Sequence, residues 1–145
     1  MYAPNLWGLI KKASVMLVLN EEGLILGVSR RNDSTKFGLP GGKLEDNETP
    51  EEAGIRETFE ETGIKVNSCV EIYKREEPAG SPGGFPFYTY CFYATNWEGN
   101  PTSSDEGEVK WLETTNLIGN TGAFAEYNLN TIKKFVEMFP KVKIR

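Results

Sequence analysis

The sequence of 145 residues contains no histidine and only two cysteines. Without histidine, the chain cannot use an imidazole base, a histidine-containing triad or a histidine metal ligand. Cys69 and Cys91 are too few for a disulfide framework and lack the paired spacing of a zinc site, so we interpret both as small apolar core residues. Any catalysis would therefore depend on carboxylates, hydroxyls, lysine, arginine or a bound metal.

The sequence also has fewer basic than acidic residues and no long apolar run. Lys and Arg total 16 against 21 acidic residues, a formal net charge of −5, whereas proteins that bind long nucleic acid usually carry a basic surface. The longest apolar run, Val15–Leu19, is far too short to cross a membrane, and Met1–Lys12 lacks the features of a signal peptide. We therefore expect a cytoplasmic protein with neither nucleic-acid nor membrane partner. The oligomeric state has no signature in the sequence.

Length and patterning predict one α/β domain over residues 1–145. Alternation and β-rich composition predict five strands, of which the first two form a hairpin: Ala13–Leu19, Leu24–Ser29, Lys65–Arg75, Phe85–Thr95 and Val109–Leu112. Polar stretches without regular structure are predicted for Arg30–Gly38, Glu76–Gly84 and Trp97–Gly107. Helical spacing of apolar residues predicts a C-terminal helix through Leu129, Ile132, Phe135, Val136 and Phe139.

A helix near the middle of the chain carries the residues that point to chemistry. Thr49-Pro50-Glu51-Glu52 has the pattern of a capping box, and Gly63 is a typical stop. Within it, Glu57, Glu60 and Glu61 follow the i, i+3, i+4 spacing that places side chains on one helix face. Three neighbouring carboxylates repel one another unless a cation lies among them, and such oxygen ligands suit Mg²⁺ or Mn²⁺.

The segment Gly41–Ile64, GGKLEDNETPEEAGIRETFEETGI, resembles the signature box of the Nudix hydrolases. The match covers the glycine pair, Glu48, Arg56-Glu57, Glu60-Glu61 and Gly63-Ile64. Thr58 departs from the pattern, because the family usually has an aliphatic residue there, and we expect a modest packing cost. An ordinary surface helix could carry the glutamates alone, but the surrounding residues at fixed offsets argue against that interpretation.

The resemblance implies a fold, a reaction and a set of roles. The fold would be an α/β/α sandwich with a mixed central sheet and the box as loop-helix-loop. The reaction would be the metal-assisted hydrolysis of a nucleoside diphosphate linked to another group. The implied metal ligands are the Gly41 carbonyl, Glu57, Glu60, Glu61 and an acid from a later loop, Asp105 or Glu106. Glu57 would also be a candidate base, while Glu48 and Arg56 would support the ligands.

The resemblance extends to the MutT type, which acts on oxidised nucleoside triphosphates. It implies that Arg31 contacts the substrate and that Asn128 recognises a purine edge, because an amide offers a donor and an acceptor together. Lys43 and Phe37 are further candidate substrate contacts. Structural alternatives remain for Asn128 as a helix cap and for Arg31 and Lys43 as surface charges. At most two members of the aromatic strand are expected to stack on a base: Phe85, Phe87, Tyr88, Tyr90 or Phe92.

Other substrates and one other class of protein remain open. The expected substrate is a purine nucleoside triphosphate, oxidised or not, which would yield a monophosphate and pyrophosphate. Related enzymes cleave ADP-ribose, dinucleoside polyphosphates, nucleotide sugars or capped RNA ends, although the last of these normally have more basic surfaces. A nucleotide-binding module without catalysis would be expected to have lost the glutamates of the box, and this chain retains them.

Overall fold

The computed structural model describes residues 11–77, 87–105 and 107–145. In these ranges the strands are β1 (Lys11–Leu17), β2 (Ile25–Arg30), β3 (Asp33–Gly38), β4 (Gly41–Lys43), β5 (Lys65–Glu77), β6 (Phe87–Glu98) and β7 (Val109–Leu112). The helices are α1 (Pro50–Thr62), α2 (Thr114–Ile118) and α3 (Ala125–Met138). Both predicted helices are confirmed, and the short α2 was not expected.

The larger sheet is mixed, as predicted. Its strands lie in the order β4-β1-β6-β5. β1 runs parallel to β6, while the β1–β4 and β5–β6 pairs are antiparallel. Strand β4, which contains the glycine pair, is hydrogen-bonded to the inner strand β1, and Gly41 lies opposite Val15.

Alternate residues of the sheet pack against different helices, which produces the predicted α/β/α sandwich. On one face, Met16, Val18 and Phe92 form a core that Ile55 of α1 covers. On the other face, Leu17 and Cys91 pack with residues of α3, including Phe135. The sheet is therefore buried on both sides, in keeping with the two-residue period of a strand.

A second, three-stranded antiparallel sheet has the order β3-β2-β7 and modifies two predictions. The predicted hairpin between the first two strands is limited to the residues next to its turn, where Leu19 and Ile25 form an antiparallel bridge and the Leu26 N–H donates to the Val18 carbonyl. Over most of its length β2 pairs with β3 and β7. The segment 30–38, predicted to be irregular, contains β3, whose residues are mostly exposed and polar and so give no buried alternation.

Helix α1 packs on the sheet through small residues. Phe59, on the side of the helix away from the glutamates, has 55% of its surface exposed. The face of α1 that packs on the sheet is formed by small residues: Ala53, Gly54, Thr58 and Thr62. A β-carbon on Gly54 would lie 3.2 Å from the Met16 methyl group, so the helix and β1 are in close contact there. The expected loop 76–84 begins later than predicted, and residues 78–84, with Phe85, lie outside the described residues.

Candidate active site

Helix α1 begins and ends where the sequence predicts. Thr49 accepts a hydrogen bond from the Glu52 backbone N–H, and the Glu52 carboxylate accepts one from the Thr49 N–H. At the other end, Gly63 adopts a left-handed conformation with φ of 79°, and its N–H donates to the Phe59 carbonyl. These caps fix the length of the helix, so Glu57 and Glu61 are held one turn apart above the glycine pair.

Each of these two glutamates lies beside one residue of the glycine pair. The backbone N–H of Gly41 donates to Glu61 Oε1 over 2.7 Å. A β-carbon placed on Gly42 would lie 2.6 Å from Glu57 Cδ, and one on Gly41 would lie 2.1 Å from the Ser14 carbonyl oxygen. Gly41 therefore has no room for a side chain beside the backbone of β1, and a side chain at Gly42 would displace the Glu57 carboxylate.

Arg56 holds the carboxylates of this segment in place. Its Nε and Nη2 donate to the two oxygens of Glu48 over 2.7 and 3.0 Å, a bidentate pair. Nη1 donates to Glu57 Oε1 over 2.9 Å, and Nη2 also donates to the Lys43 carbonyl. The Arg56 hydrogen bonds lower the pKa of Glu48, and Glu48 in turn raises the pKa of Arg56, so both groups remain charged. Arg56 therefore holds the Glu57 carboxylate, and Glu48 in turn holds Arg56.

Glu60 shares Arg56 Nη1 with Glu57 but, unlike Glu57 and Glu61, does not line the cleft described below. Its side chain is 50% exposed, and its Oε2 accepts a hydrogen bond from Arg56 Nη1 over 3.2 Å. Within residues 11–77, 87–105 and 107–145, no three acidic, cysteine or histidine side chains are gathered around one point. The predicted convergence of all three glutamates is therefore only partly seen, with Glu57 and Glu61 beside the glycine pair and Glu60 on Arg56.

A cleft of about 1060 Å³ opens over this arrangement. Its lining includes six of the residues that the sequence nominated: Arg31, Gly41, Lys43, Glu57, Glu61 and Asn128. These residues come from the β2–β3 turn, β4, α1 and α3, so the fold brings together positions that are almost a hundred residues apart. The volume is that of a small-molecule site.

Asn128 lies within the first turn of α3 rather than before it, and it is only 3% exposed. Its Nδ2 donates to the carbonyls of Leu117 and Ala123 over 2.8 and 2.7 Å. The residue at the cap position is Phe124, so the alternative of Asn128 as an N-cap is not supported. Since both amide hydrogens are engaged, Oδ1 is the polar atom that Asn128 can offer to a ligand in the cleft.

Besides Glu48, Arg56 and Glu60, two nominated residues are not among the described lining of the cleft. Phe37 is 8% exposed and packs in the core with Leu117, so the structure gives it a packing role. Asp105 is exposed in a tight turn between Ser104 and Gly107. Glu106 lies outside the described residues.

The donor set of the cleft fits a hard divalent cation. Glu57 and Glu61 supply carboxylate oxygen atoms, and the absence of a side chain at Gly42 leaves room for the Glu57 carboxylate beside the loop. Carboxylate and carbonyl oxygens are the ligands that Mg²⁺ and Mn²⁺ prefer in proteins. The residues present are therefore compatible with such an ion.

Several residues of the cleft were not nominated from the sequence. Phe124 and Arg30 form one edge, with the Arg30 guanidinium carbon 4.9 Å from the centre of the Phe124 ring. Arg75 of β5 and Glu126 of α3 form an ion pair of 3.4 Å at another. No local motif marks these positions, because they become neighbours only when α3 packs beside the sheets.

Comparison with known proteins supplies the family. A model of the NUDIX domain matches residues 9–135, and the chain belongs to this family. The proteins that it resembles include MutT-like proteins. A "MutT-like protein" of Streptomyces ambofaciens is 50% identical over 98 residues, or 66% of this chain and 59% of that protein. An 8-oxo-dGTP diphosphatase of Escherichia coli is 32% identical over 127 residues, or 83% of this chain and 92% of that protein.

The relatives differ in how much of their length is matched. An oxidized purine nucleoside triphosphate hydrolase of Danio rerio is 31% identical over 105 residues, 71% of this chain and 66% of that protein. The chain thus spans 59% and 66% of the Streptomyces and Danio proteins. The MutT NUDIX hydrolase of Burkholderia pseudomallei has a TM-score of 0.69 at 22% identity, covering 85% of this chain and 98% of its own. This structural likeness confirms the fold.

Among the described residues, no helix is both long and apolar enough to span a membrane.

Proposed function

We propose that this protein is a Mg²⁺- or Mn²⁺-dependent hydrolase that cuts a pyrophosphate bond in a purine nucleoside triphosphate, releasing the monophosphate and pyrophosphate. The observation that carries the proposal is the shared cleft. Glu57 and Glu61 lie there beside the glycine pair, together with the cations Arg31 and Lys43 and the amide of Asn128. One cavity thus combines groups suited to a metal, to phosphates and to a base.

The proposed metal-holding residues are Glu57, Glu61 and the Gly41 carbonyl, with Glu60 joining by a side-chain rotation away from Arg56. When bound, the cation would neutralise phosphate charge and acidify a water molecule. An Asp105 or Glu106 ligand would require the loop before β7 to reach the metal-holding carboxylates.

The residues of the chain account for the remaining requirements of hydrolysis. Arg31 and Lys43 line the cleft and supply positive charge for the phosphate oxygens. Arg56 fixes the carboxylate of Glu57 through Oε1, which favours Glu57 as the group that accepts a proton from the attacking water. The water oxygen then bonds to phosphorus, the anhydride P–O bond breaks, and its electron pair leaves with pyrophosphate.

Asn128 supports a purine substrate, and an oxidised one in particular. Because its Nδ2 is engaged by two carbonyls, Asn128 presents an acceptor. Guanine has an acceptor at N7, whereas 8-oxoguanine carries a hydrogen there, so an acceptor in the cleft gains a hydrogen bond with the oxidised base that the normal base does not offer at N7. The relatives named as hydrolases of oxidised purine triphosphates agree with this choice.

ADP-ribose is the second candidate substrate. An ADP-ribose pyrophosphatase of Methanocaldococcus jannaschii is 41% identical over 71 residues, which cover 46% of this chain. The metal and the phosphates would take the same part in both reactions. The two substrates differ in the group attached to the second phosphate, which is a third phosphate in a nucleoside triphosphate and ribose in ADP-ribose.

A substrate panel with Mg²⁺ tests the proposal. We expect 8-oxo-dGTP to give the highest kcat/KM, ahead of dGTP, dCTP, ADP-ribose and a dinucleoside tetraphosphate, with pyrophosphate as the product measured by a coupled assay. Preferential release of AMP from ADP-ribose would favour the second candidate. Binding of these nucleotides without any turnover would overturn the assignment as an enzyme and support a binding module.

A further inference from the structure

Phe124 is an exposed aromatic residue at the substrate cleft. It lines the cleft, yet 66% of its surface is accessible. Its backbone is in the left-handed region, with φ of 59° and ψ of 46°, which a bulky residue rarely adopts. Unfavourable backbone geometry at a large, exposed apolar residue indicates that the position of the ring is determined by something other than burial.

The Phe124 ring is held by a neighbouring cation. The guanidinium of Arg30 lies over the ring, 4.9 Å from its centre. Arg30 follows a β-bulge at the end of β2, where the register with β3 shifts between Ser29 and Arg30. The bulge changes the direction of the strand so that Arg30, like Phe124, lines the cleft.

The segment before Phe124 is anchored on two sides. The Phe37 N–H donates to the Thr121 carbonyl over 2.8 Å, and the Ala123 N–H donates to the Phe37 carbonyl over 2.7 Å, so the segment is bonded to β3. On the other side, the Asn128 amide donates to the carbonyl of Ala123. Ala123 is therefore fixed immediately before Phe124, and the ring is carried on a rigid support.

We infer that Phe124, backed by Arg30, is the surface on which the substrate's aromatic base stacks, and that Asn128 is a positioning residue for this surface. The inference rests on the proposed function, whose substrate it specifies as a nucleotide with an intact base. A flat aromatic face and a guanidinium plane are the two side-chain surfaces on which bases stack. Since stacking increases with ring area, this edge favours purines over pyrimidines.

Phe124→Gly is the decisive variant, because it removes the ring while suiting the left-handed backbone, so the protein should fold at least as well as the wild type. Phe124→Tyr retains a stacking face. Phe59→Ala is the matched control, since Phe59 is similarly exposed but lies on α1 away from the glutamates. Binding of GMP and of ribose 5-phosphate is measured by calorimetry, which requires no turnover, and kcat/KM is measured with dGTP.

Phe124→Gly is expected to weaken GMP binding and lower kcat/KM for dGTP by about 5- to 150-fold, corresponding to roughly 1–3 kcal/mol for one base stack. Ribose 5-phosphate binding should change little, and Phe124→Tyr and Phe59→Ala should behave like the wild type.

An equal loss for GMP and ribose 5-phosphate, or no loss for either, would overturn the inference, as would a wild-type protein that binds the two ligands equally. If the wild type binds GMP through Phe124 but hydrolyses no nucleotide, the stacking surface stands and the proposed function fails.

Discussion

Thr58 shows how a single departure from the family pattern is accommodated. Its side chain is completely buried, and Oγ1 has no hydrogen-bond partner among the described residues. Thr62, one turn later and equally buried, instead donates to the Thr58 carbonyl and accepts from the Ile64 N–H. Of two buried threonines on the same helix face, Thr62 thus has a hydrogen-bonded hydroxyl and Thr58 does not.

Thr58→Val is expected to raise the free energy of unfolding by about 1 kcal/mol, because it replaces an unpaired buried hydroxyl with a methyl group of the same shape. The melting temperature would rise by about 2–5 °C. Thr62→Val should lower stability instead, since it removes two hydrogen bonds. Thermal denaturation of both variants checks the prediction, and a destabilised Thr58→Val protein would show that its hydroxyl is paired.

Glu48 gives a prediction about pH. Its pKa is lowered by the bidentate hydrogen bonds from Arg56 and by the Glu45 N–H. A lowered pKa means that the ionised carboxylate stabilises the fold above the ordinary pKa of a glutamate, and that this contribution is lost as the pH falls through the lowered value. Acidification should therefore release Arg56 and, with it, the orientation of Glu57.

Glu48→Gln should reduce stability by about 1–2 kcal/mol near pH 7, the scale of a charge-assisted hydrogen bond, and the gap from the wild type should close on acidification. Melting temperatures recorded from about pH 7 to about pH 3 check this prediction. The control is Glu21→Gln, in the exposed turn after β1. If the difference in melting temperature between the wild type and Glu48→Gln is the same at every pH, the charge of Glu48 does not contribute to stability.

At the scale of elements, the sequence predicts the box helix closely and β2 and β3 poorly. The capping box and the glycine stop are local signals, and the helix they define carries Glu57 and Glu61 to the cleft. The pairing of β2 with β7 depends on residues some 80 positions apart, and β3 has few buried residues, so neither is visible in local periodicity. Arg30 and Phe124 also become neighbours only in the folded protein, so the sequence did not nominate them. The burial of Phe37 depends on distant residues as well, which is why the sequence predicted a substrate contact for it.

Asn128 connects α2, the following segment and α3. Asn128→Ala would leave the buried carbonyls of Leu117 and Ala123 without their donor, which costs roughly 1–3 kcal/mol. We expect a lower melting temperature together with a loss of purine preference in kcat/KM. Asn130→Ala, on the same helix, is the control. Loss of preference at unchanged stability would make Asn128 a direct reader of the base alone.

At the scale of the whole molecule, the cleft lies where both sheets and two helices contribute residues. The mixed sheet carries Gly41 and Lys43, the antiparallel sheet carries Arg30, α1 carries Glu57 and Glu61, and α3 carries Asn128. A net charge of −5 would repel the proposed polyanionic substrate, so we expect catalysis to depend on local cations and a bound metal that offset the acidic character of the chain.

The most direct test of the account measures pyrophosphate release from 8-oxo-dGTP by the wild type and by Glu61→Gln, in EDTA and across a Mg²⁺ titration. Glu51→Gln, an exposed glutamate in the first turn of the same helix, is the control. We predict no turnover in EDTA, recovery with Mg²⁺ or Mn²⁺, and a loss in kcat of roughly 10²-fold or more for Glu61→Gln, with the fold retained. Full turnover in EDTA, or a Glu61→Gln protein as active as the control, would contradict the assignment of this cleft as a metal-dependent active site.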